Sequence, residues 1–202
     1  MYELNKKCDL NESKNNKTLV CIDIQPAYEK LIKFPIDDFI SFLNNSNYEK
    51  IYYFFNGPEL GYEDVNEIQD WLTEYGLSED ILNIIEFEEK DYGWFRELID
   101  SNKFNINDIT KLVSFMYNNN IKQSADITDN QWQNLNLSKT TKSKLINIIE
   151  DNLIVIPQID KILQNISQCD IIGGGKNECL LEVQILMSAM KIKYNPIDNF
   201  IY

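Results

Sequence analysis

Three side chains stand where the chain could do nucleophilic chemistry: Asp23, Lys90 and Cys179. The most informative stretch is 171–183, IIGGGKNECLLEV. Its apolar start, from Cys169 to Ile172, reads as a short buried strand, and three glycines then loosen the backbone before Cys179 opens a helix running on as LLEVQILMSAM. A strand that ends in flexible backbone and restarts as a helix leaves unpaired N–H groups pointing at one place. A cysteine there is favoured as a thiolate by the helix dipole and would have an oxyanion pocket beside it. The competing reading is an inert, packed cysteine behind a left-handed turn.

Asp23 closes the apolar run TLVCIDI, and Lys90 follows LNIIEF, a strand expected at about 82–87. Ligands of open parallel sheets bind beyond the carboxyl ends of the strands, which is where all three residues fall. Asp23 could accept the thiol proton, Lys90 could hold carboxylate and thiolate in register, and Cys179 could attack a carbonyl. Taken singly, an Asp at a strand end is often a helix cap and a Lys in EEKD a solvated charge. The coincidence of the three placements favours chemistry.

The elements that must position them alternate strand and helix. TLVCIDI, IYYFF at 51–55, LNIIEF, 169–172 and 191–201 are strand-like, and 37–46, 63–75 and the segment after Cys179 are helix-like. A further helix is expected to open at Gln25-Pro26. Apolar strands in such alternation predict a three-layer, Rossmann-like α/β domain with a mostly parallel sheet over 18–202, preceded by a polar segment, 1–17. Between 103 and 150 only helical patterns occur, so this block is expected to be a helical insertion.

Composition removes several classes of function. The 202 residues carry a net charge of −13 and no histidine. So acidic a chain repels nucleic acid and anionic membrane surfaces. Without histidine the commonest metal ligand and the commonest general base are both missing. The four cysteines, Cys8, Cys21, Cys169 and Cys179, have no metal-ligand spacing, so neither metal nor cofactor is expected. There is no signal-peptide pattern and no apolar run of membrane-spanning length, which predicts a cytoplasmic protein with reduced thiols, in a host cytoplasm if the gene is viral.

In order and spacing these residues resemble the isochorismatase-like cysteine hydrolases. The first motif of that family is an Asp, an apolar residue and Gln, here Asp23-Ile24-Gln25; the second is a Lys leading to aromatic residues and Phe, here Lys90-Asp91-Tyr92-Gly93-Trp94-Phe95. The third is a Gly six residues before the nucleophile, here Gly173 and Cys179, with Asn177 and Leu180 in the flanking places. The resemblance covers roughly 18–98 and 153–202. It implies a Rossmann-like hydrolase in which a cysteine thiolate attacks an amide or related bond of a small molecule. A non-proline cis peptide within Gly173–Lys176 would help form its oxyanion hole. Members often form dimers or tetramers, so a homo-oligomer is among the expectations. The chain departs from the pattern at Gly174-Gly175-Lys176, and without histidine it cannot build the metal site of the nicotinamidases in that family.

Around the catalytic set, the expected substrate contacts are Gln25 and Asn56 after the first two strands, and Gly174, Gly175, Lys176, Asn177 and Glu178 of the elbow. Tyr92 and Trp94 could stack on a flat group, and Arg96, the only arginine, could clamp a carboxylate or phosphate. An alternative is a non-catalytic protein that binds phosphate or nucleotide, or sequesters a partner, through the GGGK loop. That loop lacks the spacing and hydroxyl of a Walker A motif.

Overall fold

The computed structural model describes residues 17–90, 98–99, 104–151, 155–156 and 159–202. Five parallel strands form one sheet: β1 (Thr18–Ile22), β2 (Lys50–Phe55), β3 (Ile85–Glu89), β4 (Gln168–Gly173) and β5 (Lys193–Pro196), in the order β3-β2-β1-β4-β5. β1 is central, and Leu19, Val20, Cys21 and Ile22 are all fully buried. A strand covered on both faces cannot alternate apolar with polar residues, which is why TLVCI is continuous. Every strand runs the same way, so the residues that follow them gather at one edge of the sheet.

Helices α1 (Ile36–Asn44), α2 (Val65–Glu74) and α3 (Glu79–Leu82) are followed by α4 (Ile106–Asn118), α5 (Asp129–Asn134), α6 (Lys139–Asp151), α7 (Asp160–Leu163) and α8 (Cys179–Ala189). One face of the sheet is covered by Ile36, Phe39, Ile40 and Leu43 of α1 with Ile68 and Leu72 of α2. The other is covered by Ile109, Leu112, Val113 and Met116 of α4 together with Leu180, Val183 and Leu186 of α8. The i, i+3, i+4, i+7 spacing in α1 and α4 gathers their apolar residues into single stripes. The architecture is therefore a three-layer, Rossmann-like α/β fold.

Three local expectations shift. The stretch after Gln25 forms only a 3-10 turn, Pro26–Tyr28, rather than a full helix. The third strand starts at Ile85, because Ser78 caps α3 by accepting from the Ile81 amide and keeps Glu79–Leu82 helical. The block expected as a helical insertion does contain α4, α5 and α6, but α4 packs directly on α8 and belongs to the main core.

Candidate active site

β1 ends in a backbone kink. Asp23 has φ +52°, the left-handed region that Asp tolerates better than most residues. Its N–H still bonds the Phe54 carbonyl at 2.9 Å, so the kink begins without losing the ladder to β2. Two tyrosine hydroxyls hold the carbonyls around it: Tyr202 donates to Asp23 at 2.8 Å, and Tyr53 donates to Ile24. Leaving the strand this way, Asp23 puts its carboxylate between the ends of β2, β3 and β4.

There it meets Lys90. The Lys90 amide extends β3 by bonding the Phe55 carbonyl at 2.8 Å, and its ammonium lies 3.1 Å from Asp23 Oδ2. Both side chains are 2% exposed. Asn56 completes a triangle, accepting from Lys90 Nζ at 3.1 Å and donating to Asp23 Oδ1 at 3.3 Å and to the Tyr28 hydroxyl at 2.8 Å. Asn56 is in turn fixed by Gln25. The Asn56 amide donates to Gln25 Oε1 at 2.9 Å, while Gln25 Nε2 donates to the Asn56 carbonyl at 3.1 Å and to Glu63 at 2.8 Å. Gln25 and Asn56, expected as substrate contacts, are both fully buried and serve to set the Asp23–Lys90 geometry.

β4 delivers the third member. Gly173 (φ +79°) and Gly174 (φ +66°) turn the chain in the left-handed region, and a Cβ on Gly173 would come 2.1 Å from the Ile22 carbonyl oxygen. Only glycine allows β4 to press against β1 at this point. Glu178 then takes φ −129° and ψ −120°, outside the helical and extended basins, and α8 starts at Cys179. The amides of its first turn point out of the N-terminal end of the helix. The cis peptide expected within Gly173–Lys176 is not present: no described peptide bond is cis, and the two left-handed glycines make the turn instead.

The Cys179 thiol lies within electrostatic reach of both Asp23 and Lys90. Asp23, Lys90 and Cys179 therefore share one electrostatic neighbourhood, although 67 and 89 residues separate them along the chain. The protonation state differs from the one expected at a helix N-terminus. Burial and the Asp23 carboxylate push the thiol up to about 12, against the downward pull of Lys90. Near neutral pH Cys179 is thus a thiol and not a thiolate. Burial by itself would lower the Lys90 ammonium, but Asp23 and Cys179 reverse this, so it remains charged across the physiological range.

The elbow residues divide. Gly174 is buried and spaced against Leu180, whereas Lys176, Asn177 and Glu178 are exposed. With Gly175, Tyr202 and Leu31 these three line an open cleft of about 680 Å³ that none of Asp23, Lys90 or Cys179 lines. The Lys176 amide donates to the Tyr202 carbonyl at 2.8 Å and the Tyr202 amide to the Gly174 carbonyl at 3.3 Å, so residues after β5 clasp the loop. Tyr92, Trp94 and Arg96 lie outside the described residues.

Two site residues have no place in the sequence expectation. Glu182 is 2% exposed, one turn after Cys179 in α8, and its charge is felt by both Cys179 and Lys90. A lone acid in CLLEVQIL was the available signal. Tyr202 left no local pattern, since its contact with Asp23 spans nearly the whole chain.

Among the described residues no cluster of three or more potential ligands could hold a metal, and no helix is long and apolar enough to cross a membrane. Fold and site together define an α/β protein with a buried acid–lysine pair and a cysteine elbow at the carboxyl edge of a parallel sheet. No family model matches the chain, and no curated protein or solved structure matches it either.

Proposed function

We propose that the chain is a cysteine-dependent hydrolase of the isochorismatase-like type, cleaving a C–N amide or related bond of a small molecule. The observation that carries this reading is the buried Asp23–Lys90 pair, 3.1 Å apart, within electrostatic reach of Cys179 at the start of α8. In a site without histidine, a carboxylate is the group able to take the thiol proton.

The steps balance without a cofactor. As Cys179 Sγ attacks the carbonyl carbon, its proton passes to Asp23 and a C–S bond forms. First-turn amides of α8 receive the developing oxyanion. Asp23 then returns the proton to the departing nitrogen as the C–N bond breaks, leaving a thioester. Water, deprotonated by Asp23, hydrolyses the thioester and restores the thiol. Lys90 keeps Asp23 in place and stabilises negative charge as it moves between carboxylate and sulfur.

The binding-module reading has one feature in its favour, an exposed Lys176 beside the cleft. Against it, the Lys176 and Glu178 amides are already bonded, to Tyr202 and Gly175, and so are not available to cradle a phosphate.

Release of ammonia from a panel of small primary amides, compared between the wild type and Cys179→Ala, tests the proposal. The substitution should reduce turnover more than about a thousandfold while leaving the fold intact. Undiminished turnover in Cys179→Ala would refute the mechanism.

A further inference from the structure

Asp23, Lys90 and Asn56 are at most 3% exposed, so the catalytic set offers a substrate little surface of its own. A cavity of small-molecule size lies beside the elbow, the cleft of about 680 Å³. Two of its lining residues lead to the reactive groups. Glu178 is the residue before Cys179. Tyr202 donates its hydroxyl to the Asp23 carbonyl at 2.8 Å, and its amide donates to the Gly174 carbonyl at 3.3 Å. A molecule in the cleft is therefore one residue from the proposed nucleophile along the chain, and one side chain from Asp23.

The lining combines an apolar part with charges of both signs. Leu31, Ile201 and the Tyr202 ring supply the apolar part, and Leu31 is 57% exposed, so a ligand can still cover it. Lys33 and Lys176 bring two ammonium groups, and Asp198 brings a carboxylate. None of these three enters an ion pair or a side-chain hydrogen bond among the described residues. With 32 acidic residues for 19 basic ones, the lysines of this chain have acids in excess to pair with, yet these two stay open.

A ligand of the cleft has to suit the whole lining. A simple carboxylate would suit the lysines and be repelled by Asp198, and a simple cation would meet the reverse. A neutral amide would use neither sign. A zwitterion, with ammonium and carboxylate on one carbon and a short chain for the apolar wall, engages all of it.

We propose that the cleft binds the zwitterionic head group of an amino acid, its carboxylate at Lys33 and Lys176 and its ammonium at Asp198. Together with the hydrolase reading, on which this step rests, the cleft names a substrate class: amino acids whose side chain ends in a primary amide. The head group would sit in the cleft and the amide at Cys179. Addition of one water across the C–N bond then releases ammonia and leaves a side-chain carboxylate.

Calorimetric titration of L-glutamine and L-asparagine into the Cys179→Ala protein tests the cleft, because binding is scored there without turnover. At least one of them should bind saturably, and about tenfold or more tightly than butyramide, which has a terminal amide and no head group. Lys176→Met and Asp198→Asn in that background should each weaken the amino acid about fivefold. Lys139→Met, an exposed charge outside the cleft, should not, which separates a local contact from net charge. Neither amino acid binding better than butyramide, or binding indifferent to both cleft substitutions, would overturn the proposal. Ammonia release by the wild type is scored separately. Charge-dependent binding without hydrolysis supports the cleft and contradicts the hydrolase reading, whereas hydrolysis of butyramide as readily as of the amino acids supports that reading and overturns the cleft.

Discussion

Lys90 Nζ and Asp23 Oδ2 are 3.1 Å apart, and neither side chain is more than 2% exposed. An ion pair so buried is poor evidence of stability, because desolvating two charges offsets most of their attraction. Its value here is geometric. The pair ties the end of β1 to the end of β3 across β2, with Asn56 bonded to both, and it presents the carboxylate to Cys179.

Breaking the pair from one side strands a charge. Lys90→Met removes the ammonium and leaves Asp23 buried beside a neutral thiol, which should cost about 3–5 kcal/mol in urea unfolding. Asp23→Asn in the same background should recover much of that loss, since no uncompensated charge remains. Equal stability of Lys90→Met and wild type would mean that the pair is not buried as described.

Alkaline pH should unfold the protein early. Burial raises the thiols of Cys21, Cys169 and Cys179, the last two to about 12 with help from Asp170 and Asp23 respectively. In the unfolded chain they ionise near about 8.5. Above that pH the unfolded state binds fewer protons than the native state, so stability falls as pH rises. Lys90 acts in the same direction, because its raised value means that the native state keeps a proton the unfolded state gives up. Denaturant midpoints should therefore decline steadily from about pH 8.5 upward. A flat profile between there and pH 10 would contradict this account.

Gly173→Ala tests the elbow without touching a reactive group. The added methyl would sit 2.1 Å from the Ile22 carbonyl on a backbone with φ +79°. Strain and displacement of β4 from β1 should together cost about 2 kcal/mol or more. Gly61→Ala is the control, with φ +81° but nothing within 4 Å of the new methyl. It should lose only the smaller conformational part.

Much of this arrangement could be read from residue types. Continuous apolar runs in TLVCI and QCDIIG mark strands buried on both faces, and such strands must be parallel neighbours under helices. Parallel strands put their carboxyl ends on one edge, which is why Asp23, Lys90 and Cys179 could be grouped before any coordinates. What could not be read depends on contacts between distant segments. Gln25 and Asn56 look like loop residues available to a ligand, yet each satisfies the other's polar groups across 31 residues. The protonation of Cys179 follows from burial and from the Asp23 carboxylate, and the helix dipole alone points the other way. The turn at Gly173-Gly174 is made by positive φ angles, where the family resemblance implied a cis bond.

The central claim is that Cys179 is a nucleophile whose proton goes to Asp23, and transfer of an acyl group from p-nitrophenyl acetate tests it most directly. Intact-protein and peptide mass spectrometry, with p-nitrophenolate release followed in parallel, should show one acetyl group on Cys179 of the wild type. None should form at that rate in Cys179→Ala, and acylation should be slowed by at least about a hundredfold in Asp23→Asn. If Cys179→Ala releases p-nitrophenolate as fast as the wild type, or if the wild type carries its acetyl groups only on lysines, Cys179 is not the nucleophile.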